Sequence, residues 1–271
     1  MPRDDADLAF PHHDDDDSKK DRGTILVVGG TSETPGAVLL AGLAAMSVGA
    51  GRLRIATVES RCDVVAAQAP EARVISLPET SKGWLDGRAA ARVGELAAKA
   101  DAVLIGPGTT DDDNGALNAF LDAICTSATC PVVVDAGAIE ALTRCDSFRS
   151  PAVLTPNPDE LEHLGDDPGA VAARLDAVVC LRGATMTIHH PDGRTWEEES
   201  SDVGIATSGT GDIASGIVAG IAAQGATPQA AAVWGARLLK RAGDLCSKEI
   251  APIGYLAREL LPRLPRVLPT T

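Results

Sequence analysis

The stretch Thr24 to Thr57, TILVVGGTSETPGAVLLAGLAAMSVGAGRLRIAT, decides how the chain folds. Ile25 to Val28 is a short β-rich apolar run that stops at the glycine pair Gly29-Gly30. The Ala- and Leu-rich segment Ala37 to Val48 follows, and Leu53 to Thr57 is again β-rich. An unbroken apolar run too short for a helix reads as a strand buried on both faces, and the longer segment reads as the helix that crosses over it. That order is β-α-β, the unit that makes neighbouring strands run parallel.

The same alternation continues outward. Buried strands are predicted at Val74 to Leu77, Ala102 to Ile105, Val132 to Asp135 and Ala152 to Thr155, with helices at about Ala89 to Lys99, Asn114 to Thr126 and Asp159 to Leu164. Short strands alternating with helices imply a mostly parallel sheet with helices on both faces. Val178 to Leu181, Thr185 to His189 and Thr195 to Glu198 break the pattern. They are strands joined by a Gly-Ala turn and by Pro191-Asp192-Gly193, so an antiparallel edge hairpin is expected. Helices are then predicted over Gly211 to Gln224, Pro228 to Ser247 and Gly254 to Arg263; the apolar first half of the second one, Ala230 to Leu239, suits either burial or a subunit contact.

The hydrophobic share of 45% in 271 residues is enough for one large core, and no low-complexity linker divides it. Residues 1–20, with the pair His12-His13 and the run Asp14 to Asp17, are expected to form a disordered acidic tail, leaving residues 21–271 as a single α/β domain. A net charge of -14 without any basic stripe argues against nucleic acid as a partner, and aromatics at 3% leave no stacking platform for single strands. No apolar run approaches the roughly 20 residues of a membrane span. Six cysteines lie scattered without metal-binding spacing, which is expected of reduced thiols in a cytoplasmic protein.

The sharpest motif is Thr207-Ser208-Gly209-Thr210-Gly211-Asp212, opening a helix of small residues. A glycine turn at a helix start gathers free backbone N–H groups and the positive end of the helix dipole, which makes an anion hole. Asp212 beside it has the placing of a general base for phosphoryl transfer, although Asp and Gly also cap ordinary helices. The motif is neither a Walker A loop nor a dinucleotide-binding turn. Gly106-Pro107-Gly108, Asp135 and Thr155-Pro156-Asn157-Pro158-Asp159-Glu160 all follow strands, and in an open parallel sheet such loops converge on one ligand site.

Together these loops resemble the carbohydrate-kinase-related domain of NAD(P)H-hydrate dehydratases, in the ribokinase-like superfamily, from about Lys20 to Leu264. The resemblance implies a nicotinamide-nucleotide site at Ala37, Gly108, Asn157 and Asp212, with Asp212 as catalytic acid/base. It also implies an adenine-nucleotide site at Arg182, Gly183, Ala184, Thr185, Ser208, Gly209, Thr210 and Gly211, with Asp202 to Gly211 closing over it. The implied reaction uses ADP or ATP with Mg2+ to phosphorylate the C6 hydroxyl of NADHX or NADPHX, then eliminates phosphate. No protein-bound metal site is implied; a homo-oligomer such as a tetramer and a separate epimerase partner are. Departures from the family pattern are Asn157 for His, Asp159 for Gly, Gly137 for a second Asp, Arg182 for Lys, and Thr110 at the end of the Gly-Pro-Gly turn. A small-molecule kinase of the same superfamily and a non-catalytic nucleotide binder are the alternative readings.

Overall fold

Strand β1 (Thr24–Val28) is buried along its whole length, and its side chains alternate between two cores. Ile25 and Val27 face one, Leu26 and Val28 the other, as the two-residue period of a strand requires. In this computed structural model, which describes residues 8–14, 16–110, 114–145, 147–199 and 203–269, β1 is followed by α1 (Pro35–Ser47), β2 (Arg52–Val58), α2 (Cys62–Gln68) and β3 (Ala72–Leu77). Then come α3 (Ala90–Ala97), β4 (Ala102–Ile105), α4 (Asn114–Ser127), β5 (Val132–Val134), α5 (Gly137–Ala141), β6 (Ala152–Leu154), α6 (Pro158–Glu162) and α7 (Pro168–Leu175). The chain continues through β7 (Val178–Leu181), β8 (Thr185–His189), β9 (Thr195–Glu199), α8 (Thr210–Ala223) and α9 (Pro228–Glu249).

The strands form one sheet in the order β3-β2-β1-β4-β5-β6-β7-β8-β9. Every pair from β3 to β7 is parallel, whereas β8 and β9 are antiparallel, with Cys180 opposite Ile188 and Ile188 opposite Trp196. The predicted sheet and edge hairpin are therefore both present. Helices α1, α8 and α9 cover one face; α3, α4, α5 and α7 cover the other. The chain order reverses between β1 and β4, so the loops after those strands part to opposite sides and open a crevice at the carboxyl ends.

The closest helix pairing is α1 on α8. Gly216 meets the backbone of Ala41 and Gly220 that of Ala45, an approach that only a residue without Cβ permits. In α9, Ala230 to Val233, Ala236, Leu238 and Leu239 are buried inside the chain, which settles their apolarity as core packing. Among the described residues no helix is long and apolar enough to cross a membrane, and none of the six cysteines is in a disulfide.

The structure departs from sequence expectation in three places. Helices α2, α5 and α7 were not foreseen, being too short to display a periodic face. Gly254 to Arg263 is not an α-helix; it contains 3-10 turns at Ala257–Glu259 and Leu261–Arg266, because Pro262 and Pro265 remove backbone donors. In the segment expected to be a disordered tail, Leu8 to His13 contacts α9 and the end of α8, while Asp14, Asp16 and Asp17 are exposed. Leu8 is buried, its carbonyl accepts a 2.8 Å bond from Trp234 Nε1, and Phe10 packs edge-on against the Trp234 ring at 5.2 Å. His13 bonds Gln224 Oε1 at 2.8 Å. Two apolar side chains in a polar segment supply the area that composition averaging hides. Residues 1–7 and Asp15 lie outside the described residues.

Candidate active site

Helix α8 starts at Gly209, whose φ of 89° lies in the left-handed region, and no side chain caps it. The Thr210 amide is spent on Thr207 O. The amides of Gly211 and Asp212 have no acceptor among the described residues, so the open anion hole is narrower than the motif suggested. A Cβ on Gly211 would collide with Arg182 Nη1, which fixes that guanidinium against the helix start.

Arg182 follows β7 and its own amide is tied to Pro156 O at 2.8 Å. Its Nη2 donates to Asp135 Oδ1 at 3.2 Å and to Glu160 Oε2 at 3.0 Å. Glu160 and Asn157 form a reciprocal capping box at the start of α6, each accepting the other's backbone N–H at 2.8 Å. The Asn157 side-chain oxygen is thereby occupied, leaving its NH2 for a ligand.

Asp212 lies in the first turn of α8, partly buried. Burial pushes its carboxyl up to about 7; the negative Asp135 and Glu160 push the same way, and Arg182 opposes them. Burial also raises Glu160 above the ordinary carboxylate range, against the pull of Arg182. A carboxyl poised near neutrality beside open amides and a guanidinium has the chemistry of a general base for a reaction that builds negative charge nearby.

A cavity of about 520 Å3 adjoins this cluster. Arg182, Gly183 and Ala184 line one side and Thr207, Thr210 and Gly211 another. Met186, Ile205, Ala236 and Leu239 make most of the remainder apolar. An apolar slot ending in a phosphate cradle suits a flat heterocycle with an anionic tail. Thr210 Oγ1 and Arg182 Nε are buried here with no partner among the described residues.

Three expected nucleotide residues do not line the cavity: Thr185 and Ser208, which are exposed, and Gly209, which is partly buried. On β8 the two-residue period turns Thr185 out and Met186 in, and Ser208 points outward from the turn before α8. Of the expected substrate residues, Ala37 and Gly108 are neighbours, a Cβ on Gly108 standing 2.8 Å from that of Ala37, and Thr34 Oγ1 donates to Gly108 O at 2.6 Å. They connect to the helix start through Leu40, which packs on Gly209. Asn157 lines the cavity instead. Sequence reading missed the α9 wall, Ala236, Leu239 and Lys240, together with Glu198 on β9. Asp202 lies outside the described residues.

The departures from the family pattern have local reasons. Asp159 is exposed and lines no part of the cavity. Gly137 faces the backbone of Thr109 and Thr110 so closely that a Cβ would stand 2.9 Å from it. Among the described residues no three His, Cys, Asp or Glu side chains gather to hold a metal ion.

Sheet order and crevice define an α/β protein of the ribokinase-like fold, with open backbone amides at a glycine-led helix start. The family model described as NAD(P)H-hydrate dehydratase matches residues 25–266, and the chain belongs to that family. It is 38% identical over 262 residues to the ADP-dependent (S)-NAD(P)H-hydrate dehydratase of Xanthomonas campestris, covering 92% of this chain and 89% of that one. It is 36% identical to the bifunctional NAD(P)H-hydrate repair enzyme Nnr of Moorella thermoacetica, covering 91% of this chain and 49% of that longer protein. The crystal structure of the Bacillus subtilis ADP/ATP-dependent NAD(P)H-hydrate dehydratase, co-crystallised with ATP and Mg2+, superposes with a TM-score of 0.79 at 30% identity, covering 96% of this chain and 94% of that one.

Proposed function

We infer that this chain dehydrates the hydrated nicotinamide nucleotides NADHX and NADPHX at the expense of ADP or ATP. The observation that carries the reading is Asp212, a carboxyl raised to about 7 at the rim of the α8 amides. In its ionised form Asp212 takes the proton of the C6 hydroxyl as that oxygen attacks the terminal phosphorus of the nucleotide. The new O–P bond forms as the bond to the leaving AMP or ADP breaks. The amides of Gly211 and Asp212 and the Arg182 guanidinium face the charge on the transferred group. The ring nitrogen's lone pair then expels phosphate, a proton leaves the adjacent carbon, and the dihydronicotinamide is restored.

Mg2+ enters with the nucleotide. With no three-ligand protein cluster among the described residues, phosphate oxygens and water are its natural ligands, as suits a small cation that dehydrates reluctantly. The apolar slot between β8, β9 and α9 takes the adenine, while Ala37 and Gly108 form the side that receives the nicotinamide nucleotide. Six cysteines without a disulfide support a reducing, cytoplasmic setting. A homo-oligomer and a separately encoded epimerase complete the reading; the two-activity name of the Moorella relative supports the latter.

The test is recovery of NADH absorbance from NADHX with Mg2+ and either ADP or ATP, with Asp212→Asn in parallel. Recovery that requires nucleotide and vanishes in the variant is the expected result. Nucleotide binding without recovery would assign the site to another acceptor hydroxyl or to binding alone.

A further inference from the structure

Asp135 immediately follows β5, and its side chain is only 2% exposed. A carboxylate sealed this far from water is costly unless paired. Its partners are Thr155 Oγ1 at 3.0 Å and Arg182 Nη2 at 3.2 Å. Glu160 takes its own contact on the same nitrogen. Both carboxylates therefore hold one end of the guanidinium. Nη1 is bonded to nothing among the described residues and lies against Gly211, and Nε is buried without a partner. Loss of the tethers would free a long side chain with many rotamers to leave the helix start.

We propose that Asp135 is a positioning residue for the phosphoryl donor: acting through Arg182, with Glu160 as second tether, it fixes the free Nη1 beside the open amides of α8. The inference rests on the nucleotide-dependent reading above. It also explains why an Arg suits position 182. A forked cation can be anchored by one nitrogen and still present another, which a lysine ammonium cannot do.

The experiment is calorimetric titration of Mg-ADP into wild type, Asp135→Asn, Arg182→Gln and the double variant, without nicotinamide substrate. Asp135→Asn is expected to weaken ADP about tenfold, the scale of one misplaced charge-assisted hydrogen bond. In the Arg182→Gln background the same change should add less than about twofold, since its route of action is gone. Glu160→Gln, which keeps the acceptor for the Asn157 amide, gives the same non-additive pattern if Asp135→Asn fails to fold. Effects that multiply, or a tether variant that binds ADP like wild type, overturn the proposal. A wild-type protein that binds no ADP overturns the nucleotide reading itself.

Discussion

Asp212→Asn should abolish turnover and at the same time stabilise the fold, by an amount that depends on pH. Moving a carboxyl from 3.8 to about 7 means that its ionised form costs about 4 kcal/mol in the folded state, at about 1.4 kcal/mol per tenfold change in proton affinity. The folded protein holds this proton more tightly than the unfolded chain does. Its stabilising contribution is therefore complete below 3.8 and is lost as pH rises through about 7. Asparagine is neutral throughout and avoids that loss. Relative to wild type, the variant should gain about 4 kcal/mol at pH 8 but only about 2 kcal/mol at pH 5, on the same arithmetic. The weaker interaction of Asn with the α8 dipole opposes this by less than about 1 kcal/mol, too little to reverse the sign. Urea unfolding at the two pH values measures both increments. Equal increments at pH 5 and pH 8, or a less stable variant at pH 8, would refute the placing of Asp212 as a costly, partly desolvated carboxyl.

Three further outcomes are expected. Turnover should rise with pH through a midpoint near 7 as Asp212 loses its proton, and Glu160→Gln should move that midpoint down by removing a negative neighbour; an unmoved midpoint assigns the titration elsewhere. Gly211→Ala should displace Arg182 Nη1 and raise the nucleotide KM about tenfold, with the melting temperature little changed because a flexible side-chain end gives way, as steady-state kinetics and a thermal melt would show. Gly216→Ala should instead cost about 1–3 kcal/mol in denaturant unfolding, because the new methyl meets the backbone of Ala41 and forces α1 from α8.

The sheet was legible in the sequence because its strands are unbroken apolar runs, such as Ile25 to Val28 and Ala102 to Ile105, set between helical segments. The hairpin was legible from Pro191-Asp192-Gly193. Asp212 and the Gly209 turn stood out because a helix start is a local event. What could not be read was pairing across long separations. Nothing periodic tells that Asp135 and Glu160 share one nitrogen of Arg182. The cavity wall from α9 was hidden for a related reason: Ala236 and Leu239 look like any core residues until β8 and β9 are placed opposite them. Thr185 was assigned by motif adjacency where strand alternation favours Met186.

The segment carrying Leu8 and Phe10 finds its seat on Trp234, far along the chain. On a ribosome adding about 5–20 residues each second, this segment precedes the helix it docks on by an interval on the order of tens of seconds. Through that interval its apolar pair is exposed, with the aspartates that follow as its guard against sticking to other nascent chains. Docking of this segment then reports that synthesis has passed α9, which makes it a natural position for a fluorescent timer of that helix's emergence.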